Sequence, residues 1–151
     1  MSNNRSILYV EDREEDVVLL KYAFKRADIQ NPVQVANDGQ KAIDYLAGNG
    51  KYADRSQFPL PGMVLLDLQL PYKMGLEVLE WIRQQPSLKT LIVIILSSST
   101  HHGDVRRAYE LGTNAFLVKP SGVDTLADIC QALKHFWLIH NQPPVEGLVQ
   151  K

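Results

Sequence analysis

The amino-acid sequence predicts an α/β chain: a doubly wound, five-stranded parallel sheet with helices on both faces and an extended C-terminal helix and tail. Short β-rich runs alternate with stretches of helical periodicity along the whole chain, and such alternation builds a parallel sheet. Met63-Val64-Leu65-Leu66 and Leu91 to Leu96 are apolar at every position, as strands covered on both faces are. A length of 151 residues, 45% of them hydrophobic, suffices for one core and is short for two. Residues 1–151 are therefore expected to form a single domain, with its core at about 5–140 and a C-terminal extension at 141–151.

Each element has its own signal. Ile7-Leu8-Tyr9-Val10 is the first strand. In the helix after it, Val17, Leu20, Phe24 and Ala27 share a face. Asp12, with Glu15 three positions on, predicts a capping box at its start. Pro32 stops that helix, and Val33-Gln34-Val35-Ala36 forms the second strand. Asn37-Asp38-Gly39 turns into a second helix with Ala42, Ile43 and Leu46 inward. Gly48 and Gly50, then Pro59, Pro61 and Gly62, bracket a polar stretch that reads as a long exposed loop. The third helix runs from Gly75 to Gln85, with Leu76, Leu79 and Ile82 inward, and Pro86 ends it. A short fourth helix, Asp104 to Leu111, ends at Gly112. Ala115-Phe116-Leu117-Val118 is the fifth strand, and Val123 to His140 is the last helix, with an extended tail through Pro143-Pro144.

Composition excludes several classes of function. A net charge of −1 argues against a general nucleic-acid binder. The longest apolar run falls far short of the ~20 residues that span a bilayer, and the polar N-terminus, Met1 to Ser6, lacks a signal core. The single cysteine, Cys130, excludes an internal disulfide and any multi-cysteine zinc site. A cytoplasmic protein with no membrane contact is expected.

In open α/β sheets, sites form beyond the carboxyl ends of the strands. The first strand ends in Glu11-Asp12, the third in Asp67, the fourth in Ser97-Ser98-Ser99-Thr100 and the fifth in Lys119-Pro120. Three carboxylates, a hydroxyl and an ammonium converge on one edge. A divalent ion would neutralise that cluster, and oxygen-only ligands suit a hard cation such as Mg²⁺. A phosphoryl group, bringing roughly two negative charges, fits only where the metal and Lys119 offset it. Asp67 is the expected nucleophile, forming an aspartyl phosphate.

These residues resemble the receiver domain of two-component response regulators over residues 5–140. The resemblance rests on Ile7-Leu8-Tyr9-Val10-Glu11-Asp12, on Leu65-Leu66-Asp67-Leu68-Gln69-Leu70-Pro71 with Gly75, on Leu96-Ser97, and on Leu117-Val118-Lys119-Pro120. It implies the flavodoxin-like receiver fold, strand order 2-1-3-4-5, and phosphorylation of Asp67 from the phosphohistidine of a sensor kinase. It implies Mg²⁺ held by Glu11, Asp12, Asp67 and the backbone carbonyl of Gln69, with Glu11 acting directly or through water. Lys119 and Ser97 would bind the phosphoryl oxygens, Ser97 and Phe116 would form the switch, and the Lys119–Pro120 peptide would be cis. Ser97 stands where threonine is commoner and keeps the hydroxyl. Phe116 stands where tyrosine is frequent and lacks one. Met74 precedes Gly75 where aspartate is common.

The long loop and the extended end, Phe136-Trp137-Leu138, look like those of stand-alone regulators associated with phytochrome-type histidine kinases. The last helix uses most of the residues after Lys119, so signalling is expected through protein contacts without an output domain. Phe136 to Ile139 is apolar all round, which predicts a homodimer built on Phe136, Trp137 and Leu138. Val123, Leu126, Ile129, Leu133 and Phe136 are expected to face the core.

Other features carry less. His101-His102 lacks a spaced third metal ligand. Cys130 reads as a buried thiol, Trp81 has no assigned role, and Arg106-Arg107 make no basic surface at this net charge. An aspartyl-nucleophile phosphatase is the alternative enzyme reading, but Gln69 stands where such enzymes place a second acid. A phosphorylation-independent interaction module is the other alternative. The chain is expected to be no enzyme beyond its own phosphorylation and dephosphorylation.

Overall fold

The structure is a computed structural model that describes residues 5–99 and 101–144. Met1 to Asn4, Thr100 and residues 145–151, including the end of the expected tail, lie outside the described residues. Five strands, β1 (Ile7–Val10), β2 (Val33–Ala36), β3 (Met63–Leu66), β4 (Ile92–Ser97) and β5 (Ala115–Val118), pair in parallel in the order β2-β1-β3-β4-β5. Five α-helices alternate with them: α1 (Glu14–Arg26), α2 (Gly39–Ala47), α3 (Gly75–Gln84), α4 (His102–Glu110) and α5 (Val123–Leu133).

Side chains alternate across each strand, so the sheet carries two cores. Ile7, Tyr9, Met63, Leu65, Ile94 and Leu96 pack under α1 and α5. Leu8, Val10, Val64, Leu66, Val93 and Ile95 face the opposite way, under α2, α3 and α4. β1, β3 and β4 are buried throughout, which is why their sequences are apolar without alternation. The edge strand β5 is only half-buried.

Several local expectations are corrected. No capping box opens α1: it starts at Glu14, and Arg13 flanks it without a side-chain cap. Asp12 does not cap because its carboxylate gathers with those of Glu11 and Asp67 instead. α2, by contrast, does carry a side-chain cap, Asp38 Oδ1 accepting from the Lys41 N–H at 2.7 Å. α4 begins at His102, earlier than expected, because Ser99 supplies side-chain bonds to Asp104 and to the His101 N–H.

The polar middle of the segment between α2 and β3 is mostly exposed, as expected, yet it is anchored to α2 through Tyr52, Arg55 and Phe58. A 3-10 turn, Gly50–Ala53, sets Tyr52 and Phe58 against Tyr45, with ring centroids 5.0 to 5.9 Å apart. The Arg55 guanidinium donates to the carbonyls of Tyr45 (2.8 Å), Leu46 (3.0 Å) and Phe58 (3.1 Å). It thereby caps α2 and ties the segment to it.

The last helix changes character at its end. α5 continues into a π-helical stretch, Lys134–His140, and Asn141 N–H bonds to Phe136 O five residues back. The wider winding carries the inner face from Leu133 directly to Leu138, which is only 4% exposed. Leu138 therefore belongs to the protomer's own core and not to an outer surface. The same rotation turns Phe136 outward to 57% exposure, against the expectation that it faces the core.

Candidate functional site

In a parallel sheet all strands deliver their next residues to one edge. Hydrogen bonds extend the ladder past the strand ends: Glu11 N–H to Ala36 O at 3.0 Å, Asp67 N–H to Val10 O at 3.1 Å, and Lys119 N–H to Ser97 O at 2.8 Å. This register sets Glu11, Asp67 and Lys119 side by side. Carboxylate oxygens of Glu11, Asp12 and Asp67 lie within 4.8 Å of one another. The opening over them has a volume of about 460 Å³ and is lined by Asp12, Asp16, Asp67, Gln69, Ser98 and Lys119, among others.

Asp67 is 5% exposed. Its Oδ1 accepts from the Leu68 N–H at 2.7 Å and the Gln69 N–H at 3.4 Å, while Oδ2 faces the Lys119 ammonium at 3.3 Å. One oxygen is thus pinned by backbone and the other is left to the ammonium. Gly75 makes the turn possible: a Cβ there would lie 2.1 Å from Asp67 O and 2.7 Å from Leu68 Cα.

Glu11 is fully buried. It accepts from the Tyr9 hydroxyl and the Arg13 N–H, both at 3.2 Å, and from Lys119. Burial pushes the Glu11 carboxyl above its ordinary range, and the neighbouring Asp67 charge adds to this; the Lys119 ammonium pulls the other way. Burial alone would lower Lys119, but Glu11, Asp67 and Asp16 outweigh it and hold the ammonium above the ordinary lysine range. The Tyr9 hydroxyl is held neutral, raised by its burial and by Glu11.

The structure brings together most of the predicted residues. Ser97 is buried at the end of β4, and its Oγ accepts from the Ser99 N–H at 3.2 Å. Phe116 is half-buried against the α3 and α4 side of the core. The expected cis bond is corrected, since the described residues contain no cis peptide and Lys119–Pro120 is trans. The trans form is the lower in energy even before proline, and the Ser97 carbonyl and three carboxylates aim the lysine without the other isomer. Two residues escaped the sequence reading. Asp16, at 3.1 Å from Lys119 Nζ, lies on the first turn of a helix that starts at the site, which is the signal that could have found it. Tyr9 sits in the strand and looked like core alone.

The donor set fits a hard divalent cation: oxygen ligands only, two buried carboxylates, and an exposed Asp12 facing the opening, where coordinating waters can remain. Among the described residues, no neutral nitrogen or sulfur ligand joins the cluster to favour a softer metal.

Comparison with known proteins agrees with this geometry. The family model described as the response regulator receiver domain matches residues 7–131. The chain is 37% identical over 141 residues to the probable methanogenesis regulatory protein FilR2 of Methanothrix harundinacea, covering 91% of this chain and 86% of that protein. It is also 37% identical over 132 residues to response regulator Rcp1 of Synechocystis, covering 87% and 88%. The crystal structure of Mn²⁺-bound Rcp1 superposes with a TM-score of 0.83 over 93% of this chain and 99% of that one, at 35% identity. Phosphorylated RcpA, a cyanobacterial phytochrome response regulator, superposes at 0.87, with 33% identity over 94% of this chain and 99% of RcpA. A five-stranded sheet of this order, an acidic cluster at its carboxyl edge facing one lysine, and these matches agree: the chain belongs to the response regulator receiver-domain family of two-component signalling.

Proposed function

We propose that Asp67 is the phosphoacceptor, taking a phosphoryl group from the phosphohistidine of a sensor kinase in a Mg²⁺-dependent reaction. The observation that carries this reading is the split of the Asp67 carboxylate: Oδ1 is committed to backbone N–H groups, and Oδ2 points at Lys119 within the acidic cluster. The phosphorus–Oδ2 bond forms as the phosphorus–nitrogen bond of the donor breaks, and the electron pair leaves on the imidazole. Glu11, Asp12, Asp67 and the Gln69 carbonyl would hold the cation, which when bound offsets charge on the phosphoryl group. Lys119 supplies N–H donors to the phosphoryl oxygens, and Ser97 a hydroxyl. The protein catalyses its own phosphorylation and dephosphorylation and no turnover of other substrates. Gln69 lines the opening and would influence the hydrolytic water, whereas the Ser99 hydroxyl is engaged by Asp104 and the His101 N–H.

Labelling by a small acyl-phosphate donor tests this. An acid-stable, base-labile label should form with Mg²⁺ and disappear in Asp67→Asn; a label that persists in the variant overturns the assignment. Likeness to RcpA, a cyanobacterial phytochrome response regulator, supports a phytochrome-type histidine kinase as partner, to be tested by phosphotransfer profiling. A cytoplasmic location belongs to the same reading, as does one receiver unit over residues 1–151.

For output, drawing Ser97 toward the phosphoryl group would let Phe116 move inward and reshape the surface near α4 and β5. An unchanged Phe116 rotamer in the beryllofluoride-bound protein would refute this route. A homodimer would use the apolar groove of about 210 Å³ lined by Leu117, Ile129, Ala132, Phe136 and Trp137. Exposed Phe136, edge-on to Trp137 at 4.8 Å, supports a second copy as occupant. Sedimentation as a monomer at micromolar concentration, phosphorylated or not, counts against it.

A further inference from the structure

Resting on the phosphoacceptor reading, a further role follows from how Lys119 is occupied. An ammonium has three N–H donors, and each has a carboxylate to serve: Glu11, Asp16 at 3.1 Å and Asp67 at 3.3 Å. The three acceptors are unequal. Glu11 is fully buried, so withdrawing the lysine would strand an anion where water cannot replace it. Asp67 is the group on which the phosphoryl arrives, and the donor facing its Oδ2 passes naturally to the new oxygens. Asp16 stands apart. It projects from α1, its side chain is 25% exposed, and it lies outside the trio of carboxylates gathered for a cation.

We propose that Asp16 is a positioning residue that competes with the phosphoryl group for the Lys119 ammonium and so limits how tightly and how long that group is held. A phosphoryl group brings roughly two negative charges and three acceptor oxygens, more than the single donor released by Asp67 can serve. A second donor comes only from Asp16, because water can take the place of the lysine at this partly exposed carboxylate at small cost. Once released, the Asp16 carboxylate faces the phosphoryl oxygens across the same ammonium, and like charges repel. Loss of the Asp16 charge therefore acts twice in one direction: it frees a donor and removes a repulsion. Glu11 keeps the ammonium in place meanwhile.

The experiment compares wild type with Asp16→Asn, Asp16→Ala and Asp16→Glu by calorimetry, titrating beryllofluoride at saturating Mg²⁺ and Mg²⁺ alone, with the metal-free melting point as a third reading. Asp16→Asn and Asp16→Ala should bind beryllofluoride roughly 3- to 10-fold more tightly. They should lengthen the lifetime of the acyl-phosphate label by a similar factor, with Mg²⁺ affinity little changed. Asp16→Glu should restore the weaker binding. A merely structural Asp16 would lower the melting point and leave beryllofluoride affinity unchanged or weaker, which overturns the proposal. If wild type itself fails to bind beryllofluoride, the phosphoacceptor reading falls and this role with it.

Discussion

Replacing Lys119 with methionine removes the ammonium on which Glu11, Asp16 and Asp67 converge while keeping most of the apolar stem. Removing one partner of a buried ion pair costs ~3–5 kcal/mol, because the other charge stays behind unpaired. Here Lys119 is 14% exposed and Asp16 25%, so water offsets part of that loss. The expected destabilisation of the metal-free protein is about 2–3 kcal/mol near pH 8. It depends on pH with a definite sign. Glu11 already binds its proton more tightly in the folded state than the ordinary value of 4.5 allows, and it will do so more strongly without Lys119. A raised folded pKa adds stability at low pH and loses it as pH rises, so the deficit of Lys119→Met should shrink between about pH 8 and pH 5. A divalent cation reverses the loss from the other side: Mg²⁺ at 100 times its Kd adds about 2.7 kcal/mol. Urea denaturation at both pH values, with and without Mg²⁺, measures all three effects. A metal-free variant within about 0.5 kcal/mol of wild type at the higher pH would refute the view of Lys119 as the counter-charge of this cluster.

Arg55→Ala removes three bonds to the carbonyls of Tyr45, Leu46 and Phe58; a loss of about 2–3 kcal/mol by urea denaturation is expected, with faster proteolysis in the segment 48–62. Arg55→Lys should recover little, since a lysine cannot span the three acceptors as a planar fork does. Tyr72 has φ +69 and is 85% exposed, so its left-handed conformation is compensated by little packing; Tyr72→Asn should raise stability by roughly 0.5–1 kcal/mol, visible as a higher melting point. Burial pushes the Cys130 thiol from 9.0 up to about 12. The unfolded thiol ionises first, so wild type should lose stability relative to Cys130→Ala by up to ~1.4 kcal/mol per pH unit above the unfolded pKa and not below it.

What the sequence disclosed followed from how strongly each feature was constrained. Met63–Leu66 and the run ending at Leu96 are buried on both faces, so every position had to be apolar and the strands could be read directly. Leu91 belongs to the apolar run but not to β4, because its N–H bonds to Leu88 O in the preceding 3-10 turn (Pro86–Leu88). Parallel strands share one carboxyl edge, so Glu11, Asp12, Asp67 and Lys119 could be placed together before any coordinates. Asp16 was missed because its approach to Lys119 depends on where α1 begins, and the capping reading puts that start at Asp12, not at Glu14. The packing of Arg55 under the segment 48–62 was hidden for a similar reason: a polar, glycine-flanked stretch looks solvated until a guanidinium finds carbonyls to bind. The π-helical end of the chain left no periodic mark, because four consecutive apolar residues from Phe136 to Ile139 fit any winding.

The two outputs proposed for this protein lie on opposite sides of the sheet. Along β5, Ala115 and Leu117 face α5 and line the apolar groove, while Phe116 faces the α3 and α4 side. A change of Phe116 rotamer therefore moves atoms where the groove has no wall. The groove's other walls are Ile129, Ala132, Leu133, Phe136 and Trp137, all in or beyond α5, whereas the side-chain partners of Lys119 are Glu11, Asp16 and Asp67. The route between site and groove runs instead through backbone, where Lys119 N–H closes the ladder on Ser97 O just past the end of β5. A rigid ladder transmits little unless the strand itself shifts, because packed interfaces are bistable and not continuously deformable. On the proposed reading, pairing through the groove would stay constant while the phosphoryl signal would emerge on the α4 face, the helix in which only Ala108 is buried.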